Sequence, residues 1–173
     1  MKSLHLLRHA KSSWKAGVED RERPLTRRGR DNARLLARHI AEAIGPLDLI
    51  LCSNAQRTRE TLGVVLAEAG TGPKSAIEDE LYLADCAELV GRLLRLSEVD
   101  DNVLVIGHNP GLHELAMALA APASPGLAML VGGKFPTAAL ASFQVAGLWS
   151  GLDRSRHELI GYVTPAALAA EGN

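Results

Sequence analysis

The chain has 173 residues, of which 47% are hydrophobic and only 3% aromatic, and its formal net charge is -1. That length suits one domain, residues 1–173, with a core filled by Leu, Val, Ile and Ala rather than by rings. The near-neutral balance excludes the broad basic field of a nucleic-acid or anionic-membrane binder, and no apolar run approaches the length needed to span a bilayer.

Leu4-His5-Leu6-Leu7 reads as a first strand, with Arg8-His9 directly behind it. The apolar stretch is too short for a signal peptide and no small-residue cleavage site follows, so a cytoplasmic, soluble protein is expected. A polar stretch fills 11–24. Thr26 then offers an N-cap for a long helix. Its apolar positions Ala33, Leu36, Ala37, Ile40, Ala41 and Ile44 recur at helical spacing, and Gly45-Pro46 ends it. The basic residues clustered between Arg21 and Arg38 fit the solvated side of such a helix.

A second strand over 47–52 leads into Ser53-Asn54-Ala55-Gln56, which has the pattern of a capping box with Ser53 at the N-cap. Arg57 then stands about one turn into a helix whose apolar face is Leu62, Val65, Leu66 and Ala69, with 70–73 closing it. A short strand is expected near 75–78. Asp85-x-x-Glu88 is another capping box, ahead of the stripe Cys86, Leu89, Val90, Leu93 and Leu94. Val103-Leu104-Val105-Ile106 is the fourth strand. Gly107-His108-Asn109-Pro110-Gly111 follows it, with Pro110 expected at the first helical position and Leu112, Leu115, Ala116 and Leu119 buried. Residues 122–136 read as a loop, 140–146 and 159–163 as a late strand pair whose turn-length connection suits an antiparallel arrangement, and 166–173 as a helical or frayed tail. Alternating strands and helices argue for βα units, and hence for a three-layer α/β/α sandwich around a mostly parallel central sheet. Cys52 and Cys86 form no C-x-x-C pair and no metal spacing; Cys52 is expected as a buried free thiol.

Three strands therefore deliver Arg8, His9, Arg57 and His108 to one carboxyl edge, where open α/β sheets bind ligands. Two guanidinium forks suit a phosphoryl group, and helix N-termini at the same edge add N–H donors. An imidazole with one free nitrogen attacks phosphorus. Neighbouring arginines keep His9 neutral until an anion arrives, and His108 can donate to a phosphoryl oxygen as charge develops.

These residues resemble the motifs of a known family. Leu7-Arg8-His9-Ala10 is similar to the Arg-His-Gly signature of the histidine phosphatase (phosphoglycerate mutase-like) superfamily. Arg23-Pro24-Leu25-Thr26-Arg27-Arg28-Gly29 resembles its second block, and Ser53-Asn54-Ala55-Gln56-Arg57-Thr58-Arg59-Glu60-Thr61 its Ser-x-x-x-Arg-x-x-x-Thr block. The segment 105–111 resembles the second catalytic histidine, and 135–139 the approach to a late strand. The start Arg8-His9-Ala10-Lys11-Ser12-Ser13-Trp14 looks most like the SixA-type phosphohistidine phosphatase branch. The resemblance implies a two-step, cofactor-free and metal-free hydrolysis through a phosphohistidine on His9, with Arg8, Arg57 and His108 holding the phosphoryl oxygens. The implied substrate is a phosphorylated protein or a small phosphorylated molecule.

Two departures bear on this expectation. Ala10 stands where the superfamily has Gly, so an ordinary backbone conformation is expected there. Many members protonate the leaving group with a carboxylic acid, and Glu80 is the best-placed candidate by block order. The connection over 79–85 is too short for a lid, so an open site is expected. A metabolite phosphatase of the same fold and a non-catalytic phospho-ligand module are the alternative readings. Enclosure around Glu80 and activity on sugar phosphates would favour the first, and the intact His9 argues against the second.

Overall fold

The computed structural model describes residues 1–69 and 72–171. Its centre is β1 (Lys2–Arg8), whose Leu4, Leu6 and Leu7 are completely or almost completely buried. β1 lies between β4 (Asn102–Gly107) and β5 (Leu140–Val145) in a six-stranded sheet of order β3-β2-β4-β1-β5-β6. β2 (Leu49–Ser53) and β3 (Lys74–Glu78) continue the parallel half, while β5 and β6 (Glu158–Val163) run antiparallel to their neighbours. Register positions the site: Arg8 is paired with Gly107 and Cys52 with Ile106. His9, His108 and Ser53 thus leave the sheet side by side.

Side chains alternate across the strands and feed two cores. One face packs Leu7, Ile50, Leu104 and Ile106 under α1 (Arg27–His39), α2 (Gln56–Glu68) and Leu168 of α6 (Pro165–Glu171). The other packs Leu4, Leu6, Val103 and Val105 under α3 (Cys86–Leu93), α4 (Gly111–Leu119) and Leu130 of α5 (Leu127–Gly132). Each fully buried Leu or Ile contributes about 1.5–3 kcal/mol relative to exposure. Among the described residues no helix is long and apolar enough to cross a membrane.

Thr26 caps α1, its hydroxyl oxygen accepting from the Gly29 amide at 3.0 Å. The helix continues into a π-helical turn, Ile40–Ile44. That wider turn rotates the apolar face, and Ala41, expected inside, is exposed. The Asp85–Glu88 capping box is complete in both directions. The loop expected over 122–136 contains α5, a helix too short for its periodicity to register in the sequence. Pro110 is the cap of α4 rather than its first residue. The helix closure expected over 70–73 falls partly outside the described residues.

Candidate active site

The site is assembled where β1, β2 and β4 end. The Arg8 and His9 amides donate to the carbonyls of Ala139 and Gly107, both at 3.1 Å, and the Ala138 amide donates back to the carbonyls of Arg8 and His9. Ala138 takes up this double role with φ of 59°, in the left-handed region, which costs a non-glycine residue about 1–2 kcal/mol. Ala10 has no such strain. It is completely buried beside Leu7 and Leu25, and its amide donates to Thr61 Oγ1 at 3.1 Å. Thr61 in turn donates to the Arg57 carbonyl, tying the His9 loop to α2. Gly29 lets α1 approach this loop: a Cβ there would lie 2.1 Å from the Lys11 carbonyl oxygen.

Hydrogen bonding sets the tautomer of each imidazole. His9 donates its Nδ1–H to the Ala10 carbonyl at 2.8 Å, which leaves the Nε2 lone pair free. Burial, reinforced by repulsion from Arg57, Arg8 and Arg23 and opposed by the Ala10 carbonyl, drives the His9 pKa down to about 3. His108 accepts from Arg57 Nη2 at Nδ1 (3.3 Å), so its Nε2–H donates to Ser53 Oγ at 2.7 Å. Burial first, then His9 and Arg57, lower its pKa to about 3, with Asp20 opposing. The two ring centroids are 5.3 Å apart.

Arg57 is 2% exposed. Its Nη1 donates to the Asp20 carbonyl at 2.6 Å and its Nη2 to Asp20 Oδ2 at 3.0 Å. The other Asp20 oxygen is 3.1 Å from Arg23 Nε, an ion pair without hydrogen-bond alignment. The Tyr82 hydroxyl also donates to Asp20. Chiefly that hydroxyl, and then Arg57, hold the Asp20 carboxyl below its ordinary pKa. Arg8 is anchored through Nη1 on the Phe135 carbonyl at 2.8 Å. Arg8 Nε, Arg57 Nε and Arg23 Nη1 are buried without a partner, an unfavourable state that an anion relieves. A cleft of about 230 Å³ opens here, lined by Arg8, His9, Ser12, Trp14 and Arg23, with exposed Lys11 at its rim.

Known proteins resemble this chain in sequence and in fold. The profile of the histidine phosphatase superfamily (branch 1) matches residues 4–82. Rv1276c of Mycobacterium tuberculosis, an uncharacterised protein, is 32% identical over 161 residues, which span 92% of this chain and 99% of that one. The chain belongs to the histidine phosphatase superfamily. Within it the chain is of the SixA type. The structure assigned as phosphohistidine phosphatase SixA from Nakamurella multipartitia superposes with a TM-score of 0.83 at 28% identity, covering 96% of this chain and 97% of that one. Its counterpart from Agrobacterium tumefaciens gives 0.81 at 29% identity, covering 95% and 98%. The phosphoglycerate mutase-like sandwich expected from the sequence is the fold observed, and membership supports phosphatase chemistry.

Arg8, His9, Arg57 and His108 converge in this superfamily member as the strand ends suggest. Glu80 does not join them. Its exposed carboxylate accepts two bonds from Arg95 Nη2, at 2.9 and 3.0 Å, and lies 3.4 Å from Arg92 Nε. Ser53 does not cap α2. The helix starts at Gln56 with no side-chain cap, Ser53 Oγ serves His108, and Gln56 bonds Glu60. Arg57 is accordingly the second helical residue. Sequence reasoning missed Asp20, Arg23 and Tyr82 as parts of the site. Arg23 at the head of the second family block was the one available signal. Among the described residues no three His, Cys, Asp or Glu side chains gather in a metal-binding arrangement. Cys52 is buried and its thiol is pushed up to about 12 by burial, the state of an inert structural thiol.

Proposed function

We propose that this chain is a phosphatase that works through a phosphohistidine on His9 and acts on phosphohistidine in a protein or on another exposed phosphoryl group. The observation that carries the reading is the His9 bond to the Ala10 carbonyl. It places the proton on Nδ1 and leaves Nε2, within a basic cleft, as an unprotonated nucleophile. In the first step Nε2 attacks phosphorus as the bond to the leaving group breaks. The leaving group keeps that electron pair: an imidazole departs neutral with the proton already on its other ring nitrogen, and an alkoxide takes its proton from water. In the second step water attacks the phosphohistidine, orthophosphate departs and the Nε2 lone pair is restored. Arg8, Arg57 and His108 hold the phosphoryl oxygens throughout, as guanidinium forks and a polarised imidazole can. Charge neutralisation comes from these side chains, with no metal or cofactor in the scheme.

Two further observations support an exposed substrate. The cleft, at about 230 Å³, is smaller than the common range for pockets that enclose a whole metabolite. The link from β3 to α3 holds one short 3₁₀ turn, Asp79–Leu81, and no lid. A leaving group on an activated P–N bond also needs less help from a carboxylic acid than an alkoxide does, consistent with the engagement of Glu80 elsewhere. The test is rapid quench with ³²P-labelled phosphohistidine protein. Acid-labile label is expected on His9 and no turnover in His9→Ala, with wild-type rates unchanged by EDTA. Full turnover with that ring never modified overturns the reading.

A further inference from the structure

Beside the phosphoryl groove lies a feature that the scheme above does not use. Trp14 is 81% exposed, an unusual state for one of only two tryptophans, the other being fully buried Trp149. The indole is nevertheless fixed: the Arg23 guanidinium carbon lies 3.5 Å from the ring centroid, within the range of a cation–π stack. Arg23 is 6% exposed. Its Nε faces Asp20, the same carboxylate that holds Arg57, and its Nη1 has no partner. Trp14, Arg23 and His9 line one cleft. A rigid aromatic wall, a buried guanidinium with a spare donor and the nucleophile therefore share one small space.

From this juxtaposition we infer that Trp14 and Arg23 form a leaving-group subsite for a flat ring bonded to the phosphoryl group, the imidazole of a phosphohistidine side chain. This rests on the phosphatase reading and adds to it the two residues that select a ring as leaving group. The ring stacks on the indole, and the spare Arg23 donor meets an acceptor oxygen of the incoming substrate. Stacking on a wall already held in place costs little ordering. An alkyl or ammonia leaving group gains nothing from it.

The experiment compares two substrates with the same P–N bond. Phosphoimidazole carries a ring and phosphoramidate does not. For Trp14→Ala, kcat/KM on phosphoimidazole is expected to fall about three- to tenfold, mainly through KM, with phosphoramidate changed by less than about twofold. Trp14→Phe should recover most of the loss, and inhibition by vanadate should stay at the wild-type level. In the His9→Ala protein phosphoimidazole should shield Trp14 fluorescence from acrylamide, against the protected background of buried Trp149. Equal losses on both substrates, or an unchanged phosphoimidazole rate together with no shielding, overturn the subsite. The two readings fail separately: turnover surviving in His9→Ala defeats the nucleophile, whereas an inactive His9→Ala beside an indifferent Trp14→Ala defeats only the subsite.

Discussion

Acidifying the free protein from about pH 7.5 to about pH 5.5 should remove about 4 kcal/mol of folding stability through three histidines alone. His9 and His108 have pKa values of about 3 and His5 of about 4, burial being the largest cause in each. His5 sits inside the sheet with its nitrogens on Ser142 Oγ and Asn102 Oδ1. In the unfolded chain each imidazole takes up a proton near pH 6.5. Over this interval the unfolded state therefore binds more protons than the folded one, and stability falls as pH falls. Each site contributes about 1.4 kcal/mol, a figure insensitive to the exact folded values because all lie well below the interval. Asp20, whose pKa is depressed, adds its loss only at lower pH. The total is a large share of the roughly 5–15 kcal/mol that holds a typical domain folded. The assay is urea unfolding at both pH values in buffer free of phosphate and other oxyanions. Single His→Gln substitutions at these positions should each flatten the dependence by about a third. Adding phosphate should restore more stability at the lower pH, where it lets His108 accept a proton. A wild-type difference below about 1 kcal/mol, or one unchanged when all three are replaced, refutes the argument.

Ser53→Ala should destabilise the fold by about 1–3 kcal/mol, because the buried His108 Nε2–H loses its acceptor; kcat should fall with it, and an unchanged kcat would mean that the His108 tautomer is set elsewhere. Gly29→Ala drives a methyl against the Lys11 carbonyl and should cost about 1–3 kcal/mol, with kcat falling more than KM rises because the displaced loop carries His9; urea unfolding and steady-state kinetics read both. Glu80→Gln should change turnover by less than about twofold on ester and P–N substrates alike, since its exposed pair with Arg95 contributes little. A loss of tenfold or more confined to esters would make Glu80 the proton donor after all.

The principal site side chains were legible because the topology forces them together. A strand followed at once by Arg8-His9, and another followed by Gly107-His108, end at one edge whenever the strands pair in parallel, and Arg8 does pair with Gly107. What stayed illegible is tertiary. Ser53 and Gln56 have the spacing of a local cap, but the Ser53 hydroxyl bonds across the sheet edge to His108, a bond whose partner is 55 residues away. Asp20 lies in a polar stretch with no periodicity, and only the folded chain shows it joining Arg57 to Arg23. Block order alone singled out Glu80. It could not show that the side chain turns toward Arg95 and Arg92 on the α3 side.

The missed carboxylate sets how much positive charge the buried site carries. Three guanidiniums, those of Arg8, Arg23 and Arg57, act on His9, and Asp20 bridges two of them. That leaves two positive charges, the number a phosphoryl dianion neutralises. A protonated imidazole would add a third in a buried space, so both rings stay neutral until the anion enters. Once it has entered, the arginine repulsion that adds to burial in keeping protons away is cancelled. In the proposed mechanism His108 then takes up a proton and donates to an oxygen, while His9, its proton already fixed on the Ala10 side, keeps Nε2 for phosphorus. The two histidines differ less in their pKa values than in where their hydrogen bonds point. Those bonds, set by Ala10 for one ring and by Ser53 and Arg57 for the other, assign the roles.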